Sequence, residues 1–419
     1  MKNILIEQNP HWQNKVYKSV RREALDKLIS YLPLKQIITI TGIRRCGKST
    51  LSKQAINHLI NSGVNAQNIF FINLENPMFL EYKNDASFLG VIYEEYLKLI
   101  NPKGKVYCIF DEIQYFENWQ VYIKSKYETS DIKYIITGSN SSMLSNELNT
   151  LLSGRSLNIH LNTFSFKEFL DYKNIKYSNE FEQISNHIEI QRAKEMYLKW
   201  GGFYEVFDVE DELIKKEILL NYVKNIIYQD IVPRYGIRNS QILERLFFYL
   251  LSNSTNLINY TTLSQTFDIS DKTIKEYINY FEDTFLLKRL DKFHNKQKEI
   301  VKSFKKIYSL DNGFLQIAPK FSTNFGMSLE NMVFIVLNQR VENLYYLKDL
   351  QEIDFFDTNK LYQVSYDISE AKTKQRELNA FSYFNKENRY RNLLITYNIN
   401  ESIDDIEVLS FEKFIFSLK

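Results

Sequence analysis

The sequence predicts an α/β fold built on a parallel sheet, followed by a mostly helical region and then a second, mixed α/β region. Up to about residue 163, short apolar runs alternate with helical patterns, which is typical of a parallel sheet covered on both faces. The pattern then becomes mostly helical, and strand-like runs return near residue 343. The chain has 419 residues, more than the roughly 250–300 that one core usually serves, so several domains are expected.

The first region can be justified element by element. Residues 36–41 form a β-branched run, after which apolar side chains recur at helical spacing from Leu51 to Ile60 until Gly63 ends the pattern. Further strands and one intervening helix are predicted at 69–74, 88–100 (the helix), 106–110, 133–137 and 157–161. Residues 1–163 are therefore expected to form one α/β core.

Composition limits the classes of protein that this chain can belong to. A net charge of +2 excludes a strongly basic nucleic-acid binder overall but not a local basic face. The chain has two cysteines, Cys46 and Cys108, and their positions do not indicate a disulfide framework or a cysteine-based zinc site. No apolar run approaches the ~18–20 residues that span a bilayer, and the first residues lack a signal-peptide pattern. We therefore expect a cytoplasmic protein that does not contact a membrane.

Eight residues between the first strand and the next helix match the P-loop pattern G-x-x-x-x-G-K-[ST]. Glycines in such a loop let backbone N–H groups point at phosphate oxygens, and the helix N-terminus adds partial positive charge. The lysine can reach the β- and γ-phosphates, the serine hydroxyl can bind Mg²⁺, and the next threonine can donate to an inner phosphate. The residues predicted to bind ATP and Mg²⁺ are Gly42, Ile43, Arg44, Arg45, Cys46, Gly47, Lys48, Ser49 and Thr50.

Further catalytic residues are expected beside the P-loop lysine. The third strand ends in Asp111 and Glu112; Asp111 would hold Mg²⁺ and Glu112 would activate the attacking water. A polar turn follows the fourth strand, from which Asn140 or Ser139 could reach the γ-phosphate. We choose Asn140, and a plain turn is the alternative. Arg155 could stabilise the transferring phosphoryl group from its own chain or from a neighbouring subunit, and a surface ion pair is the competing interpretation.

The order of these segments resembles the AAA-type P-loop ATPases of bacteria and archaea that carry a C-terminal domain of uncharacterised function. Further segments at 152–155, 164–170, 201–203 and 326–331 extend the resemblance over nearly the whole chain. The family usually has proline where this chain has Tyr204, so a lid contact by that segment is not assumed. The resemblance implies four parts: an ATPase core (1–163), a helical lid (164–237), a winged-helix-like module (238–306) and a fold like the PD-(D/E)XK nucleases (307–419).

The winged-helix interpretation has support in the sequence itself. A short helix is predicted at 261–267 and a longer one at 271–287, with Ser270 as a plausible N-cap. The basic residues that follow could neutralise DNA phosphates, and a protein-docking module with a solvated basic face is the alternative. They are Lys288, Arg289, Lys292, Lys296, Lys298, Lys302, Lys305 and Lys306.

The nuclease-like part is predicted to lack the residues for cleavage. Such a site needs an acidic residue on one strand and acid-x-Lys on the next, to hold Mg²⁺ and activate water. Asp354 suits the first position, and Glu330 could add a ligand. Gln363 stands where the second carboxylate is expected and Ser365 where the lysine is expected. We therefore predict a degenerate nuclease fold.

Three functions remain as hypotheses at this point. The favoured one is Mg-dependent ATP binding and hydrolysis, used as a conformational switch that controls C-terminal DNA- or protein-binding modules. The alternatives are an ATP-licensed, metal-dependent DNA nuclease and a non-hydrolysing, nucleotide-bound DNA-binding or scaffold protein. A homo-oligomer is required if Arg155 acts on a neighbouring subunit, whereas a monomer suffices if it acts in its own chain.

Overall fold

The computed structural model describes residues 1–140, 154–319 and 324–418. The chain divides into two compact units, Met1–Thr163 and Phe164–Lys419. A parallel sheet in the first unit, with helices and a second sheet in the second, confirms the predicted fold class. The lid, winged-helix and nuclease-like parts expected from the sequence all fall within the second unit, so the boundaries between them stay predictions. The first two residues of the 152–155 segment lie outside the described residues.

The first unit contains these described strands: β1 (Ile37–Thr41), β2 (Ile69–Asn73), β3 (Val106–Asp111), β4 (Ile132–Gly138) and β5 (Ser156–His160). Its described α-helices are α1 (Lys2–Gln8), α2 (Ala24–Tyr31), α3 (Lys48–Asn61), α4 (Phe88–Ile100) and α5 (Trp119–Thr129). None of the described helices in either unit is long and apolar enough to cross a membrane.

All neighbouring strands of this first sheet run parallel, in the order β2-β3-β4-β1-β5. Strand β4 therefore lies between β1, which leads into the P-loop, and β3, which ends in the acidic pair. Because parallel strands all end at the same edge of a sheet, the segments that follow them meet there. We call this the carboxyl edge.

An aromatic core fixes β2, β3 and β4 relative to one another. Phe70 on β2 stacks on Tyr96 of α4 with 4.7 Å between ring centroids, and Phe110 on β3 stacks on Tyr134 of β4 at 6.2 Å. Trp119 at the start of α5 is fully buried in the same cluster. The strands are covered on both faces, which explains why they read as continuous apolar runs rather than as alternating patterns.

The described strands of the second unit are β6 (Leu257–Ile258), β7 (Leu287–Lys292), β8 (Lys305–Ser309), β9 (Tyr345–Lys348), β10 (Glu352–Phe356), β11 (Lys360–Val364), β12 (Arg391–Thr396), β13 (Glu401–Ile403) and β14 (Ile406–Ser410). Its described α-helices are α6 (Phe166–Tyr172), α7 (Glu180–Ser185), α8 (His187–Trp200), α9 (Glu212–Asn225), α10 (Val232–Tyr235), α11 (Ser240–Ser252), α12 (Tyr260–Phe267), α13 (Asp271–Asp283), α14 (Gln297–Lys302), α15 (Phe325–Arg340), α16 (Ala371–Phe384) and α17 (Phe411–Ser417). A π-helical segment, Ile226–Ile231, joins α9 to α10.

The strands described in the second unit form one continuous sheet, in the order β13-β14-β12-β11-β10-β9-β7-β8-β6. Its central connection is the parallel pairing of β7 with β9, in which Asp291 and Lys292 lie opposite Tyr345 and Tyr346. This pairing joins the hairpin β7–β8, which follows α13, to the C-terminal strands. The predicted winged-helix and nuclease-like parts therefore share a sheet.

A buried polar network reinforces the second unit. The Asp311 carboxylate accepts a hydrogen bond from the backbone N–H of Gly202 at 2.9 Å. Asn312 Nδ2 donates to the Leu198 carbonyl on α8 at 2.9 Å, and Asn331 Nδ2 on α15 donates to Asn312 Oδ1 at 2.8 Å. We call these residues the Asp311 network. It ties α8, the segment after β8 and α15 together, so the Gly201–Gly202 segment has a structural role inside this unit.

Candidate functional site

The loop after β1 depends on its two glycines. A Cβ added at Gly42 would lie 2.0 Å from the carbonyl oxygen of Leu161. Gly47 has a φ of +100°, and a Cβ there would lie 2.7 Å from the Arg22 guanidinium. Helix α3 begins directly afterwards, at Lys48. A glycine-dependent loop that leads into a helix N-terminus is the arrangement with which proteins bind phosphate.

Ser49 and Asp111 meet at the carboxyl edge. The Ser49 hydroxyl donates to Asp111 Oδ2 across 2.6 Å, and Thr137 Oγ1 at the end of β4 donates to Asp111 Oδ1 across 2.7 Å. Burial and the neighbouring Glu112 raise the pKa of Asp111 to about 6. A cleft of about 480 Å³ opens beside Ser49 and Asp111. A hydroxyl and a carboxylate held together are oxygen ligands of the kind Mg²⁺ takes, so the pair fits the predicted metal position.

Lys48 and Glu112 form a buried ion pair beside them. Lys48 Nζ lies 3.2 Å from Glu112 Oε1 and donates to the carbonyl oxygens of Gly42 and Ile43 at 3.2 and 3.3 Å. Burial opposes both charges, but the attraction between the two groups outweighs it. As a result, the pKa of Glu112 is lowered and the pKa of Lys48 is raised. Both side chains therefore stay charged inside the protein.

Residues from the neighbouring strand ends hold Glu112 in position. Glu112 has a left-handed backbone with a φ of +55°, and its N–H donates to Thr137 Oγ1 at 2.9 Å. Gln114 Nε2 donates to the Glu112 carboxylate and to Ser139 Oγ, the latter at 3.0 Å. Asn140 is buried two residues beyond the end of β4. The contact that reaches Glu112 through Gln114 comes from Ser139, and the choice of Asn140 over Ser139 as the residue that reaches the γ-phosphate stays a prediction.

The other P-loop side chains have different surroundings. Arg44 donates to Glu75 Oε1 at 3.0 Å and to the Tyr115 hydroxyl at 2.7 Å, so it is anchored to the segment after β2. Arg45 is exposed. Cys46 is buried, and burial raises the pKa of its thiol, so the thiol stays neutral.

Arg155 lies at the opposite edge of the sheet. Its carbonyl accepts from the N–H of Ile37, the first residue of β1, at 2.8 Å. The four residue steps of β1 separate that edge from the P-loop by about 13 Å. The guanidinium pairs with Glu128 at 2.8 Å and lies over the Tyr127 ring. The proposed contact of Arg155 with the phosphate of its own chain is therefore corrected: within one chain it forms a surface ion pair. A contribution from a neighbouring subunit stays a prediction.

Comparison with known proteins agrees with this geometry. Residues 34–170 match the family described as AAA domain, and residues 191–324 match a domain of unknown function (DUF8612). An uncharacterised protein of Methanocaldococcus jannaschii is 34% identical over 407 residues, which cover 93% of this chain and 88% of the relative. An uncharacterised protein of Haemophilus influenzae is 32% identical over 402 residues, covering 93% and 96%. The chain belongs to their AAA-type family.

Solved structures similar to this AAA-type protein are more distant. The Aeropyrum pernix ORC1 protein in complex with DNA is 11% identical, with a TM-score of 0.33 over 72% of this chain and 92% of that one. AMPPCP-bound DnaA from Aquifex aeolicus is 14% identical, with a TM-score of 0.28 over 66% and 92%. Similarities of this size say nothing about a ligand or partner of the AAA-type protein.

The second unit of the AAA-type protein contains a buried lysine among carboxylates. Lys306 Nζ on β8 lies 2.6 Å from Glu352 Oε1 and 3.3 Å from both Glu330 Oε1 and Asp354 Oδ1. We call these four residues the Lys306 cluster. Burial and Glu330 raise the pKa of Asp354 to about 7. Burial alone would lower the pKa of Lys306, but the surrounding acidic groups, Tyr308 first, raise it well above its usual value.

The predicted nuclease positions lie around this cluster. Gln363 Oε1 accepts from the Asp354 N–H at 3.2 Å, and Gln363 Nε2 donates to Glu377 Oε2 at 2.7 Å. Ser365 donates to the Asp367 carbonyl and contributes no charge. Among the described residues, no group of three or more His, Cys, Asp or Glu side chains is arranged to hold a metal ion. The Lys306 ammonium group lies between the carboxylates of its cluster. It supplies the positive charge that a bound metal ion would otherwise have to supply.

Some basic side chains of the segment from Lys288 to Lys306 are paired with acidic residues or buried in the folded protein. Arg289 pairs with Glu282, Lys305 lies 2.6 Å from Asp291, and Lys306 is buried in its cluster. These three side chains have acidic partners, so they are less available to neutralise DNA phosphates than the sequence indicates, and DNA contact by the segment stays a prediction. Exposed lysines remain on and around α14, namely Lys288, Lys296, Lys298 and Lys302.

Proposed function

We propose that this AAA-type protein binds Mg–ATP at Gly42–Ser49 and hydrolyses it. One observation carries the proposal. The contacts Ser49–Asp111 and Asp111–Thr137 are joined to the Lys48–Glu112 pair by a hydrogen bond from the Glu112 N–H to Thr137 Oγ1. Together they form a connected set at the carboxyl edge, beside the glycine loop. Phosphoryl transfer needs mainly positioning and charge stabilisation, and these residues can supply both.

The roles of the side chains follow from their chemistry. Ser49 and Asp111 would hold Mg²⁺, which neutralises charge on the phosphate oxygens. Lys48 would exchange its carbonyl partners for the β- and γ-phosphate oxygens. Glu112 would accept the proton of the attacking water while Gln114 fixes its carboxylate. An anionic Glu112 and a cationic Lys48 are the charge states that these roles require.

A lysine substitution tests the proposal as a whole. Lys48→Ala is expected to lower ATP turnover with Mg²⁺ by at least about 100-fold, because it removes the buried ammonium group at the start of α3 and with it a preorganised charge on the phosphate. Phosphate release is measured for the wild type, for Lys48→Ala and for Lys103→Ala. Lys103 is an exposed lysine before β3, so it serves as the matched control. A wild type that turns over no faster than Lys48→Ala would show that hydrolysis is wrong.

We further propose that the nucleotide state controls the second unit, whose partner is DNA. The order α11, β6, α12, α13, β7, β8, with β6 and β7 both antiparallel to β8, supports the winged-helix interpretation. The exposed lysines of α14 lie between β7 and β8, where a wing would be. A cleft of about 890 Å³ beside them is also lined by Lys275 of α13. A protein partner remains the alternative for the same surface.

A salt series separates these two partners. Replacing Lys296, Lys298 and Lys302 by alanine is expected to weaken binding to duplex DNA. It should also reduce the slope of log affinity against log salt by about 0.9 for each DNA phosphate that the variant no longer neutralises. Filter binding at several salt concentrations measures both, with Lys372→Ala/Lys386→Ala as a control on another exposed surface. An unchanged slope would mean that these lysines do not contact DNA, and no DNA binding by the wild type would leave a protein partner.

DNA cleavage by the second unit is the less favoured alternative. The Lys306 ammonium group already lies among the carboxylates that a catalytic metal would use, and Gln363 and Ser365 supply neither a carboxylate nor a cation. A non-hydrolysing scaffold is the other alternative, and turnover by the wild type above that of Lys48→Ala excludes it.

A further inference from the structure

Arg22 is a buried arginine that the ATPase chemistry described above does not use. Its guanidinium NH1 donates to the carbonyl of Cys46, inside the P-loop, at 2.5 Å. Its NH2 donates to the carbonyls of Asn162 and Thr163 at 2.7 and 3.4 Å. The side chain is only 2% exposed. One guanidinium therefore joins the P-loop to a segment about 140 positions further along the sequence.

The backbone that carries Arg22 is attached to the P-loop helix. Residues 17–22, here called the strap, lie along α3. Tyr17 N–H donates to Asn57 Oδ1 at 3.2 Å, and Asn57 Nδ2 donates back to the Tyr17 carbonyl at 2.7 Å. Arg22 N–H donates to Gln54 Oε1 at 3.1 Å, and Gln54 Nε2 donates to Ser19 Oγ at 2.9 Å. The position of Arg22 is thus fixed relative to α3, which starts at the candidate phosphate site.

The Arg22 guanidinium also contacts the last residues of the first unit. Residues 161–163, here called the exit segment, follow β5, and Thr163 is the last residue of the first unit. Leu161 N–H donates to the carbonyl of Thr41, the last residue of β1, at 2.7 Å, and the Leu161 carbonyl lies against Gly42. The exit segment therefore contacts the P-loop directly at Gly42 and through Arg22 at Cys46.

We propose that Arg22 is a positioning residue that transmits the conformation of the P-loop to the exit segment, and so to the start of the second unit. The inference rests on the proposed ATPase function. The Cys46 carbonyl belongs to the loop that would close around a phosphate, so a change in that loop moves an acceptor of Arg22. Because the guanidinium is planar and rigid, a shift at NH1 is passed to NH2 and to the carbonyls of Asn162 and Thr163.

Conservative substitutions of Arg22 distinguish transmission to the exit segment from mere support of the P-loop. A lysine ammonium has a single nitrogen at the end of a flexible chain, so Arg22→Lys keeps the charge but cannot hold both segments in one fixed geometry. Arg21→Lys is the matched control, because Arg21 is the adjacent arginine and its partner, Asp26, is exposed. Arg22→Gln serves as a second variant that keeps hydrogen-bonding capacity without the charge.

The test is hydrogen–deuterium exchange of the backbone amides at 160–166 in the full chain, with and without Mg²⁺ and the non-hydrolysable analogue AMPPNP. We expect the analogue to change exchange there in the wild type and in Arg21→Lys. In Arg22→Lys and Arg22→Gln that change should be largely lost. Titration with a fluorescent ATP analogue in the same samples should show that both Arg22 variants still bind nucleotide.

Other results would overturn the inference. If the Arg22 variants respond to AMPPNP as the wild type does, or if the wild-type exit segment does not respond at all, transmission through Arg22 is wrong. The same holds if the Arg22 variants lose the response only because they no longer bind nucleotide, since that result indicates support of the P-loop alone. These failures leave wild-type ATP turnover intact, whereas failure of the proposed function would appear as absent turnover in the wild type.

Discussion

Glu112→Gln is expected to lower ATP turnover by about 10²–10⁴-fold while nucleotide binding persists, because this range is what a positioned general base contributes. Glutamine keeps the size of the side chain but cannot accept the proton of the attacking water. The substitution also removes the anionic partner that lies 3.2 Å from Lys48 Nζ. Lys48 can then bind the phosphates without competition from the Glu112 carboxylate, so affinity for ATP should stay the same or increase.

Two measurements on the same samples check this expectation. Phosphate release gives turnover, and titration with a fluorescent ATP analogue gives affinity. Glu117→Gln is the matched control, because Glu117 is an exposed glutamate five positions further along the chain. Turnover at the wild-type rate would remove Glu112 from the catalytic role. Loss of binding together with turnover would mean that Glu112 maintains the site rather than activating water.

Lys306→Met is expected to reduce the free energy of unfolding of the second unit by about 3–5 kcal/mol at pH 8, because removal of one partner leaves buried charge uncompensated. The three carboxylates of the Lys306 cluster would lose the cation that lies within 3.3 Å of each. Lys348→Met is the control. Lys348 pairs with Glu352 as well, but its side chain is 43% exposed, so a loss of less than about 1 kcal/mol is expected.

The loss of unfolding free energy in Lys306→Met should be larger at high pH than at low pH. The pKa of Asp354 is already raised to about 7 in the folded wild type, through burial first and then through Glu330. Loss of the cation raises it further. An acid whose folded pKa exceeds its unfolded value binds more protons when folded, so stability falls as pH rises from about 4 through the folded pKa.

Urea unfolding of Lys306→Met and wild type at pH 5.5 and pH 8 measures this effect. The stability difference between the two proteins should be smaller at pH 5.5, and adding Asp354→Asn to Lys306→Met should recover part of it at pH 8. A difference independent of pH would mean that lost packing, not uncompensated charge, accounts for the destabilisation.

The parts of the site that could be predicted from the sequence are those encoded locally. Gly42–Ser49 lies within one short stretch between a strand and a helix, and Asp111 and Glu112 directly follow a buried apolar run. Strand direction could also have placed Arg155. A residue that precedes a strand of a parallel sheet lies at the edge where strands begin, away from the phosphate site.

Other residues could not be found by such patterns. Arg22 bonds backbone carbonyls, and every residue type supplies a carbonyl, so no side-chain pattern marks its acceptors. Lys306 reads as part of a basic stretch, because its carboxylate partners lie 24 to 48 positions later in the chain. Only the pairing of distant strands brings these groups together, and the order of strands in a sheet cannot be predicted from local periodicity.

The shared sheet of the second unit limits how this protein could have been assembled during evolution. Strand β7 pairs with β9, and the Asp311 network links α8 to α15. Exchange of the predicted lid, winged-helix or nuclease-like part alone between relatives would leave unpaired strand edges and buried polar groups without partners. A crossover near Thr163 would cut neither of these connections. Recombination that preserved the fold should therefore have passed on residues 164–419 as one inherited block.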